Sequence, residues 1–358
     1  MAAHFHTLKI KDIKKETPEC VSISFDIPEE ISSLFAFKEG QNITVKRNVN
    51  GEEIRRSYSI CSAPHEKELR VAVKKISGGA FSQFANEILQ SGDTLEVLPP
   101  TGKFNAKLHA TEPGNYLAIA AGSGITPIMS IIKHTLQSEN DSSFTLIYGN
   151  RDRNSIIFFD ELEGLKNRYM ERFNFINILS RERTDAEIFY GRINEQKLIA
   201  LGKLLPYQSF QEIYLCGPEE LIFTASDHLQ KNGVAKNNIH FELFTTPGQK
   251  QGIAKVKEQV TSSGPKSNIT IKLDGRSFDF DLNFNSSSIL DAALQQGADL
   301  PYACKGGVCA TCRAKLLEGE VDMDVNYALE QEEVEQGFIL TCQSHPRTKK
   351  AVVDFDVK

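Results

Sequence analysis

No stretch of this 358-residue sequence is apolar for long enough to cross a bilayer. The longest apolar run, 116–132, is interrupted by Gly122, Gly124 and Pro127. The opening MAAHFHTLKIKDIKKE has no apolar segment of the kind a secretion signal needs, so a cytoplasmic protein with no membrane partner is expected. Basic charge is in short supply as well. The 41 Lys and Arg are outnumbered by 47 Asp and Glu, and a formal net charge of −6 argues against a nucleic-acid binder. The eight histidines show no metal-ligand spacing, and no catalytic triad or carboxylate dyad stands out. There is no internal repeat. The seven cysteines are odd in number and expected in a reducing compartment, which argues against a disulfide framework.

What is present is a globular composition, 40% apolar and 25% charged, in a chain long enough for two or three domains. Residues 1–106 carry short strand-like runs separated by turn residues, at 21–27, 42–46, 55–61, 70–75 and 94–98, which predicts a small antiparallel β-barrel. Over 107–246 apolar strands alternate with helical stretches. Strands are expected at 116–121, 144–149, 175–179, 213–216 and 239–244, with helices near 127–137, 159–168, 195–201 and 219–230. That alternation predicts an α/β domain with a parallel sheet. Residues 247–266, rich in Gly, Ser, Lys and Gln, read as a linker. The remainder, 267–358, opens on a hairpin around Asp274-Gly275 and a helix near 288–296.

Four of the seven cysteines fall in this last domain. Cys304, Cys309 and Cys312 are spaced C-x4-C-x2-C, and 29 residues separate Cys312 from Cys342. This is the spacing of a 2Fe–2S centre held by three thiolates of one loop and a fourth from farther on. The glycines between, Gly306 and Gly307, let backbone N–H groups approach the sulfurs. A structural zinc site and unligated core cysteines are the rival readings. A zinc ribbon normally offers two CxxC pairs, and this chain has one. LPYACKGGVCATCRAKLLEGEV, with the later FILTCQSHP, resembles the plant-type ferredoxin domain, which implies an α+β β-grasp fold carrying one electron. Ala310 departs from that family, where a serine often stands.

Four further motifs occur in order. Arg56-Ser57-Tyr58-Ser59 ends a predicted barrel strand and offers a cation for phosphate, a ring for an isoalloxazine and a hydroxyl for its N5. Gly78-Gly79-Ala80-Phe81-Ser82 opens a helix, whose N-terminus suits a pyrophosphate. Gly122-Ser123-Gly124-Ile125-Thr126-Pro127 joins a strand to a helix, with Pro127 suited to the first helical position. Cys216-Gly217-Pro218 joins a later strand to a helix. Taken singly, these are an ordinary polar strand, a Gly-Gly turn, a lone GxG and a buried strand-end thiol. In this order they resemble the ferredoxin–NADP reductase superfamily. The resemblance implies FAD rather than FMN at Arg56, Tyr58, Ser59, Gly78, Gly79, Phe81 and Ser82. It implies a nicotinamide dinucleotide at Gly122, Gly124, Thr126, Cys216, Gly217 and Pro218. Cys216, Ser59 and Glu242 would then stand at the hydride-transfer site. Phe244 is expected either on the flavin side of that site or in plain core packing. Ser180-Arg181 after the third strand is placed to pair with a 2′-phosphate, favouring NADPH over NADH; a solvated arginine is the alternative.

The order of flavin barrel, nicotinamide domain and ferredoxin domain implies an oxidoreductase that feeds a partner oxygenase. The C-terminal segment is most similar to reductases serving the di-iron, multicomponent monooxygenase that epoxidises the phenylacetyl-CoA ring. Reductases of ring-hydroxylating or steroid-hydroxylating oxygenases are the alternative within this class, and a redox sensor or zinc interaction module is the alternative outside it. Eight acidic residues between Glu318 and Glu335 are either a docking face for a basic partner or a solvated run.

Overall fold

The computed structural model describes residues 4–49, 51–108, 113–244 and 265–357. The chain forms two compact units: Thr7–Ile54 with Tyr58–Leu243, and Phe244–Lys358 with the short segments Met1–His6 and Arg55–Ser57. The expected linker lies mostly outside the described residues.

The first unit opens with strands β1 (His6–Thr17), β2 (Cys20–Asp26), β3 (Asn42–Val49), β4 (Glu52–Ser59), β5 (Leu69–Lys74) and β6 (Thr94–Val97), and helix α1 (Ala80–Glu87) between β5 and β6. The sheet order is β4-β3-β6-β1-β2-β5, and an antiparallel bridge between Ile60 and Val71 joins the two edges into a barrel. Alternate side chains fill it: Leu8, Ile10, Val21, Ile23, Ile43, Val45, Val71, Val73, Leu95 and Val97. β1 has no counterpart among the expected strands. Its lysines alternate with Leu8 and Ile10 and leave most of the strand half-exposed, so its apolar signal is weak.

The same unit continues through β7 (Asn115–Ala121), α2 (Ile125–Ser138), β8 (Ser143–Asn150), α3 (Phe159–Arg168), β9 (Phe173–Leu179), α4 (Glu195–Gly202), β10 (Glu212–Cys216), α5 (Glu219–Lys231) and β11 (Ile239–Glu242). All neighbouring pairs are parallel, in the order β11-β10-β7-β8-β9. β7 and β10 are buried almost throughout, as strands covered on both faces must be. The chain reverses its direction of travel across the sheet between β7 and β10, which opens a crevice at their C-terminal ends. β11 stops at Glu242, not at the expected residue 244. Leu243 turns into the core and Phe244 lies beyond the strand, 40% exposed. Pro127 is the third residue of α2, not the first, because a 3-10 turn over Gly122–Gly124 runs straight into the helix.

The second unit contains β12 (Lys266–Leu273), β13 (Arg276–Asn283), α6 (Ile289–Gln295), β14 (Arg313–Glu318), β15 (Val321–Met323), α7 (Gln331–Glu335), β16 (Phe338–Leu340), β17 (Ser344–Pro346) and β18 (Lys350–Asp354). The order β13-β12-β18-β14-β16, with β12 and β18 parallel, is a β-grasp sheet, and β15 pairs with β17 beside it. The β12–β13 turn needs left-handed backbone at both Asp274 (φ 52°) and Gly275 (φ 71°), which the Asp-Gly pair supplies. Ser288 caps α6 by accepting from the Asp291 N–H at 3.2 Å. The cysteine loop runs from α6 to β14, and Cys342 follows β16.

Candidate functional site

At the crevice, the turn after β7 and the turn after β10 press backbone against backbone. A Cβ on Gly124 would stand 2.1 Å from the Cys216 carbonyl oxygen and 2.7 Å from the Gly217 nitrogen. Only glycine permits that approach. Gly122 sits at φ +55°, and its carbonyl accepts from the Tyr148 hydroxyl at 2.8 Å. A Cβ there would lie 3.5 Å from Lys74 Nζ, so the end of β5 brings a cation to the glycine loop. Thr126 Oγ1 donates to the Ser123 carbonyl at 3.0 Å and steadies the turn. Backbone N–H groups at the start of α2 together with Lys74 suit a pyrophosphate. Lys74 and Tyr148 carry no local sequence signal; their strand positions bring them here.

Cys216 is fully buried, and burial pushes its thiol well above the usual range, with Glu242 adding to the effect. It is a neutral thiol at physiological pH and unsuited to act as a nucleophile. Its register partner on β11 is Glu242. Glu242 Oε2 accepts from Ser59 Oγ at 2.8 Å. Three residues far apart in sequence, Ser59, Cys216 and Glu242, thus converge where the barrel meets the parallel sheet.

The other flavin-motif residues lie around the barrel. Tyr58 is half-buried, with its ring centroid 5.6 Å from that of Phe81. Phe81 itself is 2% exposed and part of the barrel core. Gly78, at φ +74°, faces open space, and Gly79 is the N-cap of α1. Ser82 holds this turn, accepting from the Ile76 N–H and donating to the Gly79 carbonyl, both at 3.1 Å. An uncluttered glycine turn at a helix N-terminus fits a dinucleotide phosphate. Arg56 is exposed and donates to the Arg55 carbonyl at 2.8 Å. Ser180 and Arg181 follow β9. The Arg181 N–H donates to the Arg151 carbonyl at 2.7 Å, so Arg151, unremarked in the sequence, stands beside it.

In the second unit the four sulfurs associate in two pairs. Cys304 and Cys309 act on each other, as do Cys312 and Cys342. The neighbouring thiol holds Cys309 down to about 6 and Cys342 below the usual range, while Cys304 and Cys312 are pushed up. Further donors surround them. Gly306 N–H reaches Cys304 Sγ at 3.3 Å, Thr311 donates to Cys309, Gly307 N–H to Cys342, and Gln343 Nε2 reaches Cys342 Sγ at 3.5 Å. Gly307 adopts φ +77°, and Lys305 and Ala310 also take positive φ. Thiols ringed by N–H donors suit the sulfur ligands that a two-iron centre would need. Cys304 is the exposed member; the other three are buried.

Half of the acidic run is matched by cations of its own domain. Glu318 pairs with Lys350 at 2.7 Å, Asp324 with His345 at 3.2 Å, Glu333 with Arg313 at 2.9 Å, and Asp322 with Arg347.

A barrel with a glycine turn, a parallel sheet with a dinucleotide crevice and a β-grasp domain with paired thiols together define a flavin- and iron–sulfur-dependent nicotinamide oxidoreductase. Family models agree over all three parts: an oxidoreductase FAD-binding domain at residues 7–106, an oxidoreductase NAD-binding domain at 118–227, and a 2Fe-2S iron-sulfur cluster binding domain at 271–347. The chain belongs to the family of FAD- and 2Fe–2S-containing reductase components of oxygenases. It is 45% identical to one of the subunits of 1,2-phenylacetyl-CoA epoxidase of Escherichia coli, over 99% of this chain and 98% of that one. It is 31% identical to the ferredoxin reductase component of 3-ketosteroid-9-alpha-monooxygenase of Rhodococcus rhodochrous, over 97% and 96%. Among solved structures, phthalate dioxygenase reductase matches 98% of both chains at 26% identity with a TM-score of 0.58. Among the described residues, no helix is long and apolar enough to cross a membrane.

Proposed function

We propose that this reductase serves a cytoplasmic di-iron oxygenase that epoxidises the ring of phenylacetyl-CoA. One observation carries that choice of partner: 45% identity sustained over nearly the full length of a component of the epoxidase. We divide the chain into a flavin domain (1–106), a nicotinamide domain (107–246), a linker (247–266) and a ferredoxin domain (267–358).

FAD bound to such a protein would accept the electron pair of one hydride and release the electrons singly, and a 2Fe–2S centre would accept them one at a time. The residues of this chain do the positioning. Arg56, Tyr58, Gly78, Gly79 and the turn held by Ser82 take the flavin, with Phe81 backing Tyr58. Gly122, Gly124, Thr126, Gly217 and Pro218 take the dinucleotide. Ser59, fixed by Glu242, would stand at the flavin edge, and the uncharged Cys216 thiol would line the nicotinamide side of the crevice. Neither donates a proton to the hydride; their work is alignment and exclusion of water. We read Phe244, two residues after Glu242 in sequence, as the aromatic on the flavin side. Cys304, Cys309, Cys312 and Cys342 ligate the cluster.

The test is reconstitution. The purified reductase, the oxygenase component from the same cells, NADPH and phenylacetyl-CoA should together consume oxygen and yield the ring epoxide. Turnover with a 3-ketosteroid oxygenase instead, and none with the phenylacetyl-CoA enzyme, would assign the reductase to the other branch of its family.

Ser180 and Arg181 favour NADPH, with Arg151 alongside. Arg181→Ala is therefore expected to raise KM for NADPH about tenfold, with little change for NADH, in steady-state ferricyanide assays. Equal changes for both nucleotides would remove the 2′-phosphate from the role of Arg181.

A further inference from the structure

The helix that carries the nicotinamide loop is fastened, by one polar face, to the segment that follows the flavin motif. Ser130, Lys133 and His134 of α2 share that face at helical spacing. Ser130 Oγ donates to the Ser62 carbonyl at 2.6 Å, three residues after Ser59. Lys133 Nζ bonds both oxygens of Glu66 at 3.1 and 3.2 Å, and Glu161 of α3 at 2.9 Å. Glu161 in turn holds Arg70 of β5 at 2.6 Å. Glu66 also accepts from the Ala63 N–H at 2.7 Å, and Ser62 Oγ accepts from the Arg70 N–H at 3.1 Å. His134 lies 3.5 Å from the buried Glu39, which accepts from the Ala106 N–H at 3.0 Å. Every member of the network meets at least one partner from another element.

The side chains of Lys133 and Arg70 are only 8% and 11% exposed. Burial raises the Glu161 carboxyl, yet Lys133 and Arg70 outweigh it and hold the group below the usual range. A buried ionic network is a poor way to gain stability, because desolvation consumes most of the Coulombic gain. Apolar contact already joins the two halves here: Cys20, Cys61 and Ala72 of the barrel share one core with Ile128, Ile131 and Ile132 of α2. Apolar burial has no directional preference. Hydrogen-bonded charges do, and they admit few arrangements.

We propose that Lys133, with Ser130, Glu66, Glu161 and Arg70, is a positioning device for hydride transfer: it sets where the nicotinamide loop at the start of α2 stands relative to Ser59. The inference rests on the reading of Ser59 and Cys216 as the hydride site. Displacing the loop by a fraction of an ångström changes the donor–acceptor distance, on which the rate depends steeply.

The test is anaerobic stopped-flow reduction of the holoenzyme flavin by NADPH, with flavin content and Tm measured alongside. Lys133→Met should slow flavin reduction at saturating NADPH by about tenfold or more, change its primary deuterium isotope effect, and leave KM and flavin content within about twofold. Lys133→Arg should recover most of the rate. Ser130→Ala removes the second fastening without a charge and should slow the same step by a smaller factor; it carries the test if Lys133→Met does not fold. An unchanged rate per bound flavin in Lys133→Met, or in Ser130→Ala should Lys133→Met not fold, overturns the proposal. So does a loss of Tm and flavin that Lys133→Arg fails to reverse. Cys216→Ala and Ser59→Ala in parallel separate the two readings. If they slow hydride transfer and Lys133→Met does not, only the positioning role falls; if they have no effect, the hydride site itself is misassigned.

Discussion

Replacing Cys309 with serine is expected to abolish reduction of cytochrome c or of an oxygenase while NADPH-dependent ferricyanide reduction persists. Ferricyanide can take electrons directly from reduced flavin, so only acceptors that depend on the cluster should be lost. Cys309 is buried, and the neighbouring Cys304 together with Thr311 holds its thiol down to about 6, toward the thiolate that iron prefers. A serine hydroxyl keeps the size but surrenders the soft, readily ionised ligand that iron–sulfur chemistry needs. Iron content and the visible spectrum should fall together with cytochrome c reduction. A variant with full iron content and undiminished transfer would show that Cys309 is not a ligand.

Gly124→Ala should be the most damaging change in the nicotinamide half. Its methyl group would sit 2.1 Å from the Cys216 carbonyl oxygen, and backbone on both sides leaves no flexible atom to give way. The β7 and β10 turns must separate, at a cost of about 1–3 kcal/mol typical of overpacking. That separation moves the α2 N-terminus and Cys216 apart, so nicotinamide-nucleotide binding and hydride transfer should suffer together. We expect kcat/KM for NADPH to fall by about 100-fold or more, since a displacement near 1 Å can cost that much. Single-turnover flavin reduction and thermal melting would measure both effects. A Tm within about 1–2 °C of the parent, with kcat/KM within a factor of about three, would contradict this close packing.

Local patterns carried most of the architecture. β7, β8 and β10 are near-continuous apolar runs, which only a sheet covered on both faces demands, and their expected limits agree with the observed ones to within a residue or two. The β12–β13 hairpin was legible because Asp274-Gly275 is one of the few pairs that accept two left-handed residues. β1 was not, because its apolar positions are few and lysines separate them. The end of β11 was misjudged for a related reason: Leu243 and Phe244 continue an apolar run that the backbone does not continue as strand. The site was legible as motifs and illegible as an assembly. Nothing near Ser59 in the sequence points to Glu242, 183 residues away. Lys74, Tyr148, Lys133 and Glu161 each look like ordinary members of a strand or helix, and topology alone makes them neighbours of the glycine loop or of the segment after Ser59. The acidic run shows the converse. Its charges read as a possible docking face, but half of them are engaged by Arg313, His345, Arg347 and Lys350.

The six-stranded barrel is a hoop fastened along one short segment, where Ile60 meets Val71 and the Cys61 N–H bonds the Arg70 carbonyl at 2.8 Å. That clasp begins one residue after Ser59. Ser62 secures it further, donating through Oγ to the Glu68 carbonyl at 2.6 Å and accepting from the Arg70 N–H at 3.1 Å. This short closure, and no regular strand pair, fixes the strand end that carries Tyr58 and Ser59. A ligand held by that strand end would favour the closed ring by mass action, so ligand affinity and barrel closure would be linked.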